Sequence, residues 1–357
     1  MLYQTQNPHG GDVYGETVVL DFSANTNPYG TPAGVLEAIQ NALPQMRQYP
    51  DPYCRALVNA ISTFEGVPAS FILCGNGAAE LIYSYCEAVS PKSAVELAPT
   101  FSEYSLGLKR VGCEVQQYHL RKERDFVLDN GFLSFLDQVK PEALFLCNPN
   151  NPTGQIIEQK LLNQILAYTK EHHIRFFLDE CFLDLSETGE SLKLQLENNP
   201  QLFILKAFTK SYGMAGVRLG YCLSADEDLL RTISETVQPW NVSLLAQAAG
   251  VAALKEQDFL QKARGTIFAE KEWLAAQLER LGMKVCPSSA NYLLFYGPAD
   301  LHTALKAHGI AIRNCDNYHG LGTGWYRIAV RLHEENERLI QTMEQVLGKE
   351  LPWQKTL

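Results

Sequence analysis

A chain of 357 residues, 46% apolar and 20% charged, has an ordinary globular composition, which excludes disorder and coiled coil; the length suits a large domain plus a smaller one. The net charge of −10, with no basic run, argues against a nucleic-acid surface, so anionic ligands must be held by locally placed Arg, Lys and backbone N–H groups. No apolar stretch approaches a membrane span, MLYQTQNPHGGD does not read as a signal peptide, and nine scattered cysteines without a C-x-x-C pair read as reduced, mostly buried thiols; no membrane contact and a cytoplasmic location are expected.

Residues 1–34 are rich in Gly, Pro and Asn and carry His9-Gly10-Gly11 and the run Asp21 to Pro28. Such a segment is either a loose tail or an arm docked over a site, and the short strand signal Val18-Val19-Leu20 favours docking. From Thr31 the pattern turns helical, with Val35, Leu36, Ile39 and Leu43 on one face and Thr31-Pro32 as cap and first turn. After a break at Gln48 to Pro52, a second helix runs from Cys54 to about Glu65. Phe71 to Cys74 then reads as a strand, and Gly75-Asn76-Gly77-Ala78-Ala79-Glu80 as a glycine turn opening a helix. Free N–H groups at such a helix start favour an anion, although glycine also occurs there for turn geometry alone.

The pattern repeats as short apolar strand, polar loop and amphipathic helix. Ala94–Leu97 leads to Phe101-Ser102-Glu103-Tyr104, Ala143–Cys147 to Asn148–Gly154, Ile174–Leu178 to Asp179-Glu180, and Leu202–Leu205 to Lys210. Continuous apolar runs alternating with helices mean a largely parallel sheet buried on both faces. Every distinctive polar group follows the carboxyl end of its strand, so five loops converge on one side of the sheet, where open α/β sheets keep their ligands. Around Trp240 the character changes. A small-residue helix from Ser243 to Leu254 and a long charged helix, about Gln257 to Leu281, lead into strand signals at Lys284-Val285, Asn291–Phe295, Ala311–Arg313 and Trp325–Val330, interleaved with helices at Asp300–His308 and Glu334–Leu347. This reads as a compact α+β unit.

Lys210 and Arg218 have two readings: surface charges beside a turn, or groups in the crevice at the strand end. In the crevice, burial disfavours the charged lysine and leaves a nucleophilic amine, as a Schiff base to a carbonyl cofactor requires. Asp179 is either a strand-end charge or a buried carboxylate facing a heterocyclic cation. Pyridoxal phosphate needs a lysine, an acid at its ring nitrogen, an anion cradle and an aromatic face; Lys210, Asp179, the Gly75–Glu80 turn and Phe101 supply them. Thr209 and Arg218 can complete the phosphate cradle, and Asn151 can donate to the ring's phenolic oxygen.

Asn148-Pro149-Asn150-Asn151-Pro152-Thr153-Gly154 and Thr209-Lys210…Gly216-Val217-Arg218-Leu219-Gly220, in that order, resemble the fold-type I pyridoxal-phosphate enzymes of the aminotransferase superfamily over nearly the whole length. The chain is similar to their histidinol-phosphate aminotransferase group. On His9-Gly10-Gly11, Leu20–Asn25, Gly75-Asn76-Gly77, Phe101–Tyr104, Pro239–Val242 and Ile312-Arg313 to Tyr326-Arg327 it more closely resembles the threonine-phosphate decarboxylases of cobalamin synthesis. The resemblance implies a large domain with a mostly parallel seven-stranded sheet and a smaller α+β domain: an arm over the site (1–34), a cofactor-binding domain (35–245) and a C-terminal domain (246–357). It implies catalytic roles for Lys210, Asp179 and Phe101, with Lys210 carrying the cofactor, Asp179 on its ring nitrogen and Phe101 stacked on the ring. It implies Asn151 at the ring oxygen, Gly77, Ala78, Thr209 and Arg218 at the cofactor phosphate, and Tyr49 reaching the partner subunit's cofactor in a homodimer. Arg327 would take the substrate carboxylate, and Arg313, His9 and Asn25 a substrate phosphate. The implied reaction is decarboxylation of threonine phosphate, with histidinol-phosphate transamination as the alternative.

Phe182 stands where the aminotransferases carry a tyrosine bonded to the ring oxygen, Ala207 where many carry Ser or Thr, and Lys206 replaces a common Arg with no assigned role. His172-His173 reads as a helix-terminal charge, since no acid or Cys stands at ligand spacing, and no metal site is expected. Arg331 is expected on the last strand, sharing a face with Arg327. Trp240 is expected as hinge packing.

Overall fold

The computed structural model describes residues 9–14 and 18–348. The chain enters through the short strand β1 (Leu20–Asp21) and helices α1 (Ala33–Ala42) and α2 (Arg55–Glu65). An alternation follows: β2 (Ile72–Gly75), α3 (Ala78–Val89), β3 (Ser93–Ala98), α4 (Glu103–Arg110), β4 (Glu114–His119), α5 (Gly131–Val139), β5 (Ala143–Cys147), α6 (Gln159–Glu171), β6 (Arg175–Asp179), β7 (Leu202–Ala207), the single turn α7 (Phe208–Ser211), β8 (Gly220–Leu223) and α8 (Glu227–Thr236). The remainder holds α9 (Leu244–Ala253), α10 (Gln257–Arg280), β9 (Lys284–Val285), β10 (Tyr292–Tyr296), α11 (Leu301–Ala307), β11 (Ile310–Ala311), β12 (Arg313–Asn314), β13 (Trp325–Ala329) and α12 (His333–Leu347).

Seven strands form one sheet in the order β2-β8-β7-β6-β5-β3-β4. It is parallel except at β8, which runs against both β2 and β7. The central strands are continuous apolar runs because both faces are covered: every residue of β5 and β7 is buried. Register then decides what each face carries. Phe145, Phe177 and Phe203 are direct cross-strand partners on β5, β6 and β7. Their rings stack at 4.8 and 5.1 Å between centroids, and Tyr85 of α3 packs edge-on to Phe177 at 4.9 Å. Because side chains alternate along a strand, Cys147, Asp179, Leu205 and Ala207 lie on that same face, nearer the carboxyl ends. Leu178, Ile204 and Lys206 lie on the other.

A second, antiparallel sheet runs β12-β13-β10-β9. Its β12–β13 register sets Arg313 directly opposite Arg327. The entering segment joins this part of the molecule: β1 pairs parallel with β11, and Phe22 exchanges backbone hydrogen bonds with Ala311 and Ala329. Phe22 is fully buried in the apolar cluster of the second sheet, which anchors the segment. The first eight residues of the expected arm, residues 15–17 and residues 349–357 lie outside the described ones.

Several sequence expectations shift. Lys206 belongs to β7, and Lys210 sits on the one-turn helix α7 instead of an open turn. The expected strand Ala311–Arg313 is two separate pairings, with β1 and with β13. Arg331 lies past the end of β13 and pairs with Glu335 at 2.9 Å, so it does not share a strand face with Arg327. Thr31 does not cap α1; its hydroxyl donates to the Gly213 carbonyl at 2.8 Å. Of the expected apolar face of α1 only Val35 is fully buried, while Leu36 and Leu43 remain exposed. Trp240 is no hinge filler: its ring stacks on Tyr49 at 4.5 Å. His172 caps the end of α6, and the described residues contain no group of His, Cys, Asp and Glu that could hold a metal.

Candidate active site

The carboxyl ends of β5, β6 and β7, the amino end of α3 and the arm segment enclose a cavity of about 420 Å³. Its walls include Lys210, Asp179, Phe101, Ala78, Asn151, Thr209 and Arg218, together with His9, Asn25, Arg313 and Arg327. Sequence reasoning placed all of these together, from loops up to 318 positions apart. Gly77 lies just behind the wall, where a Cβ would sit 2.6 Å from the Arg218 guanidinium and where φ is +81°, so this position admits the arginine only as glycine. Tyr49 is not in the cavity; it is 77% exposed.

Asp179 is brought to the cavity by the two-residue period of β6. Its carboxylate accepts the Tyr104 hydroxyl at 2.6 Å and the Cys181 N–H at 2.9 Å. Burial pushes its carboxyl above the usual range, against the pull of those two bonds. Lys210 is partly buried in the cavity wall. Burial, with the Arg327 and Arg218 charges, pushes its ammonium down to about 8, so a substantial fraction is neutral near physiological pH. Neither Asp179 nor Lys210 has an ion-pair partner among the described residues. A buried carboxylate without a cation and a buried lysine without an anion are costly unless a third species meets both.

Other groups are similarly unfulfilled. Both side-chain atoms of Asn25 and the Nε of Arg327 are buried without a hydrogen-bond partner. The remaining Arg327 donors go to the Asn151 side-chain oxygen and, at 2.9 Å, to the Ser23 carbonyl. Arg313 donates to Asn317 at 2.8 Å and lies 5.3 Å over the Tyr318 ring. His9 is held by Glu103, with its Nε2 2.6 Å from a carboxylate oxygen, and its ring sits 5.6 Å from Phe101. Phe182 closes the wall beside the lysine, whose Nζ is 5.7 Å from the ring centroid. At the amino end of α3, Gly220 packs so closely that a Cβ there would meet the Ala78 nitrogen at 2.7 Å. Ala78 and Ala79, the first two residues of this twelve-residue helix, line the cavity, and no side chain caps them, a setting that favours an anion.

Tyr104, Tyr318, Ser23 and Glu103 were not singled out as site residues by sequence reasoning. Tyr104 and Glu103 stand inside the quoted Phe101–Tyr104 motif, but their roles depend on which strand end α4 packs beside. Ser23 stands inside the quoted Leu20–Asn25 motif, but the group that acts is its backbone carbonyl, which no residue type signals.

Residues 17–343 match the family model for aminotransferase class I and II. The chain belongs to this family. It is 35% identical to the threonine-phosphate decarboxylase of Salmonella typhimurium, over 95% of this chain and 96% of that protein. It is 33% identical to a histidinol-phosphate aminotransferase of a Geobacillus species, over 94% of this chain and 92% of that one. The structure of the histidinol-phosphate aminotransferase from Clostridium acetobutylicum superposes with a TM-score of 0.85 at 26% identity, covering 92% of this chain and 99% of that chain.

The fold is that of the fold-type I aminotransferases, and the enzyme depends on pyridoxal phosphate. The cavity fits that group. Lys210 would supply a partly neutral amine, Asp179 a carboxylate lacking a cation, the start of α3 with Arg218 and Thr209 an anion cradle, and Phe101 an aromatic face. Lys210→Ala is therefore expected to keep a wild-type circular-dichroism spectrum while activity falls below detection and bound cofactor is lost on dialysis.

Proposed function

We propose that this enzyme decarboxylates a small phosphorylated amino acid, threonine phosphate first, to aminopropanol phosphate, a product that would place it in cobalamin synthesis in the cytoplasm. The observation that carries the reading is the pairing of Arg313 with Arg327 across β12 and β13, both lining one cavity with Lys210. Two guanidinium groups side by side suit a substrate holding two anionic groups a few bonds apart, here a carboxylate and a phosphate. Histidinol phosphate carries a phosphate and no carboxylate, which leaves transamination of that substrate as the alternative. Phe182, with an apolar ring where a tyrosine hydroxyl would polarise the cofactor, supports the same choice.

Under this reading Arg327 grips the substrate carboxylate, and Arg313, His9 and Asn25 anchor the phosphate. Pyridoxal phosphate, when bound, draws electrons from whichever bond at the substrate's α-carbon stands perpendicular to its ring. The two anchors therefore select the reaction by turning the carboxylate out of the plane, since paired Arg contacts are directional. Asp179, held by Tyr104 and the Cys181 N–H, keeps a negative charge at the ring nitrogen. Lys210 Nζ delivers the proton that takes the place of the departing carboxyl group. The arm (1–34), the large domain (35–245) and the C-terminal domain (246–357) converge on this one cavity in the proposed organisation.

A homodimer belongs to the reading. Leu36, Leu43, Met46, Tyr49, Tyr53 and Trp240 are large apolar side chains left exposed, most of them within about twenty residues of chain. Tyr49, exposed and stacked on Trp240, is absent from the lining of its own cavity and in this reading would reach a partner's.

Two experiments test these assignments. With threonine phosphate the enzyme should release carbon dioxide and form aminopropanol phosphate without a 2-oxo product; turnover of histidinol phosphate to a 2-oxo product alone would overturn the choice. Arg313→Lys, a point charge in place of a planar fork, should lower decarboxylation about tenfold or more and raise the share of cofactor converted to pyridoxamine phosphate, read as the ratio of the two products. For the shared site, an inactive Lys210 variant mixed with a weakened Tyr49→Phe variant should regain activity through hybrid dimers. No recovery despite subunit exchange shown by mass spectrometry would refute it.

A further inference from the structure

The helix carrying Lys210 cannot hold itself in place. It has four residues, one turn, far short of the length at which a helix persists alone. Its position must come from ties to its surroundings. Two run from the arm segment: the Asn27 N–H donates to the Lys210 carbonyl at 2.9 Å, and its side-chain amide to the Ser211 carbonyl at 2.8 Å. A third joins the Phe208 N–H to the Leu219 carbonyl at 3.3 Å, and the fourth is the Ser211 hydroxyl, which donates to Asp184 at 3.1 Å.

Asp184 is in turn held by Lys206, the residue that sequence reasoning left without a role. Lys206 lies on the face of β7 turned away from the cavity, 4% exposed, with its Nζ 2.9 Å from Asp184 and 3.2 Å from Glu65. Glu65, equally buried, also takes Lys193 at 2.7 Å and the hydroxyl of Tyr221, the residue opposite Lys206 on β8. Burial alone would discharge Lys206, but Asp184, Glu65 and Glu180 outweigh it and hold the ammonium charged. Burial likewise disfavours a charged Glu65, and Lys206, Lys193 and Tyr221 reverse that. An ion pair buried this deeply adds little to stability compared with an apolar replacement, and its better-attested use is to fix one geometry. Here that geometry is the place of Ser211, one residue from Lys210.

We infer that Lys206 and Asp184 are positioning residues for the cofactor lysine, acting through the Ser211 hydroxyl from the opposite face of the sheet. Lys210 must meet its target within a fraction of an ångström, and a displacement of about 1 Å costs about a hundredfold in rate. The inference rests on the family chemistry of Lys210 and not on the choice between decarboxylation and transamination.

The test is Ser211→Ala, which removes only the hydroxyl tie, beside Lys206→Met and Lys206→Arg, all as holoenzyme. The decisive readout needs no substrate: the pH midpoint of the bound cofactor's absorption change, which reports the surroundings of Lys210. Ser211→Ala and Lys206→Met should both move that midpoint by about half a unit or more and lower kcat about tenfold with KM nearly unchanged. Lys206→Arg, whose fork can reach both carboxylates, should restore the wild-type midpoint. Should Lys206→Met not fold, Ser211→Ala carries the test alone. An unmoved midpoint in Ser211→Ala, with only a lower Tm, would overturn the inference and leave the ion pairs as packing. Failure of the enzyme on every phosphorylated amino acid, with the midpoint shifted as stated, would refute the proposed substrate and leave this inference intact.

Discussion

Two opposite charges share one buried cavity without meeting, and the rest of the structure serves that constraint. Asp179 and Lys210 both line the cavity, each is shifted toward its neutral form chiefly by burial, and neither has an ion-pair partner among the described residues. Direct contact would be the simplest relief, and it would also remove the nucleophile. The strands keep them apart. Asp179 is pinned at the end of β6 by Tyr104 and Cys181, while Lys210 leaves from the helix α7 beyond the end of β7. In the proposed reading, bound pyridoxal phosphate would supply the opposite charge that each lacks.

The aromatic stack beneath the site makes this arrangement rigid. Phe145, Phe177 and Phe203 occupy the same register on adjacent strands, so Cys147, Asp179 and Leu205 follow two residues later at one level. The rings are fully buried and face-stacked, with Tyr85 edge-on to Phe177 and Tyr104 tilted against Phe145. Tyr104 thus packs on the core with its ring and holds the catalytic carboxylate with its hydroxyl. On the reverse face the polar residues are ionic, and they act on α7, the least self-supporting element of the site.

How much of this was legible in the sequence depended on range. Buried strands announced themselves as apolar runs, so the ends of β5, β6 and β7, and with them Asn151, Asp179 and Lys210, could be assigned to one crevice before any coordinates. The edge strand β4 reads Glu114 to His119 with exposed positions, so its weak apolar signal hid it. Arg331 was misplaced because strand period was extended past the point where β13 ends. The exposure of Leu36 and Leu43 could not be foreseen, since periodicity tells that a helix has an apolar face but not what covers it. Lys206 was opaque for the deepest reason: Glu65 and Asp184, its partners, are 141 and 22 positions away, one at the end of α2 and one in the loop after β6, and only the tertiary fold joins them.

The most direct test of the account is to trap the cofactor on the protein by borohydride reduction across a pH series and map the labelled peptide by mass spectrometry. The account predicts label on the peptide containing Lys210 alone, at every pH of the series. Label on another lysine would contradict it.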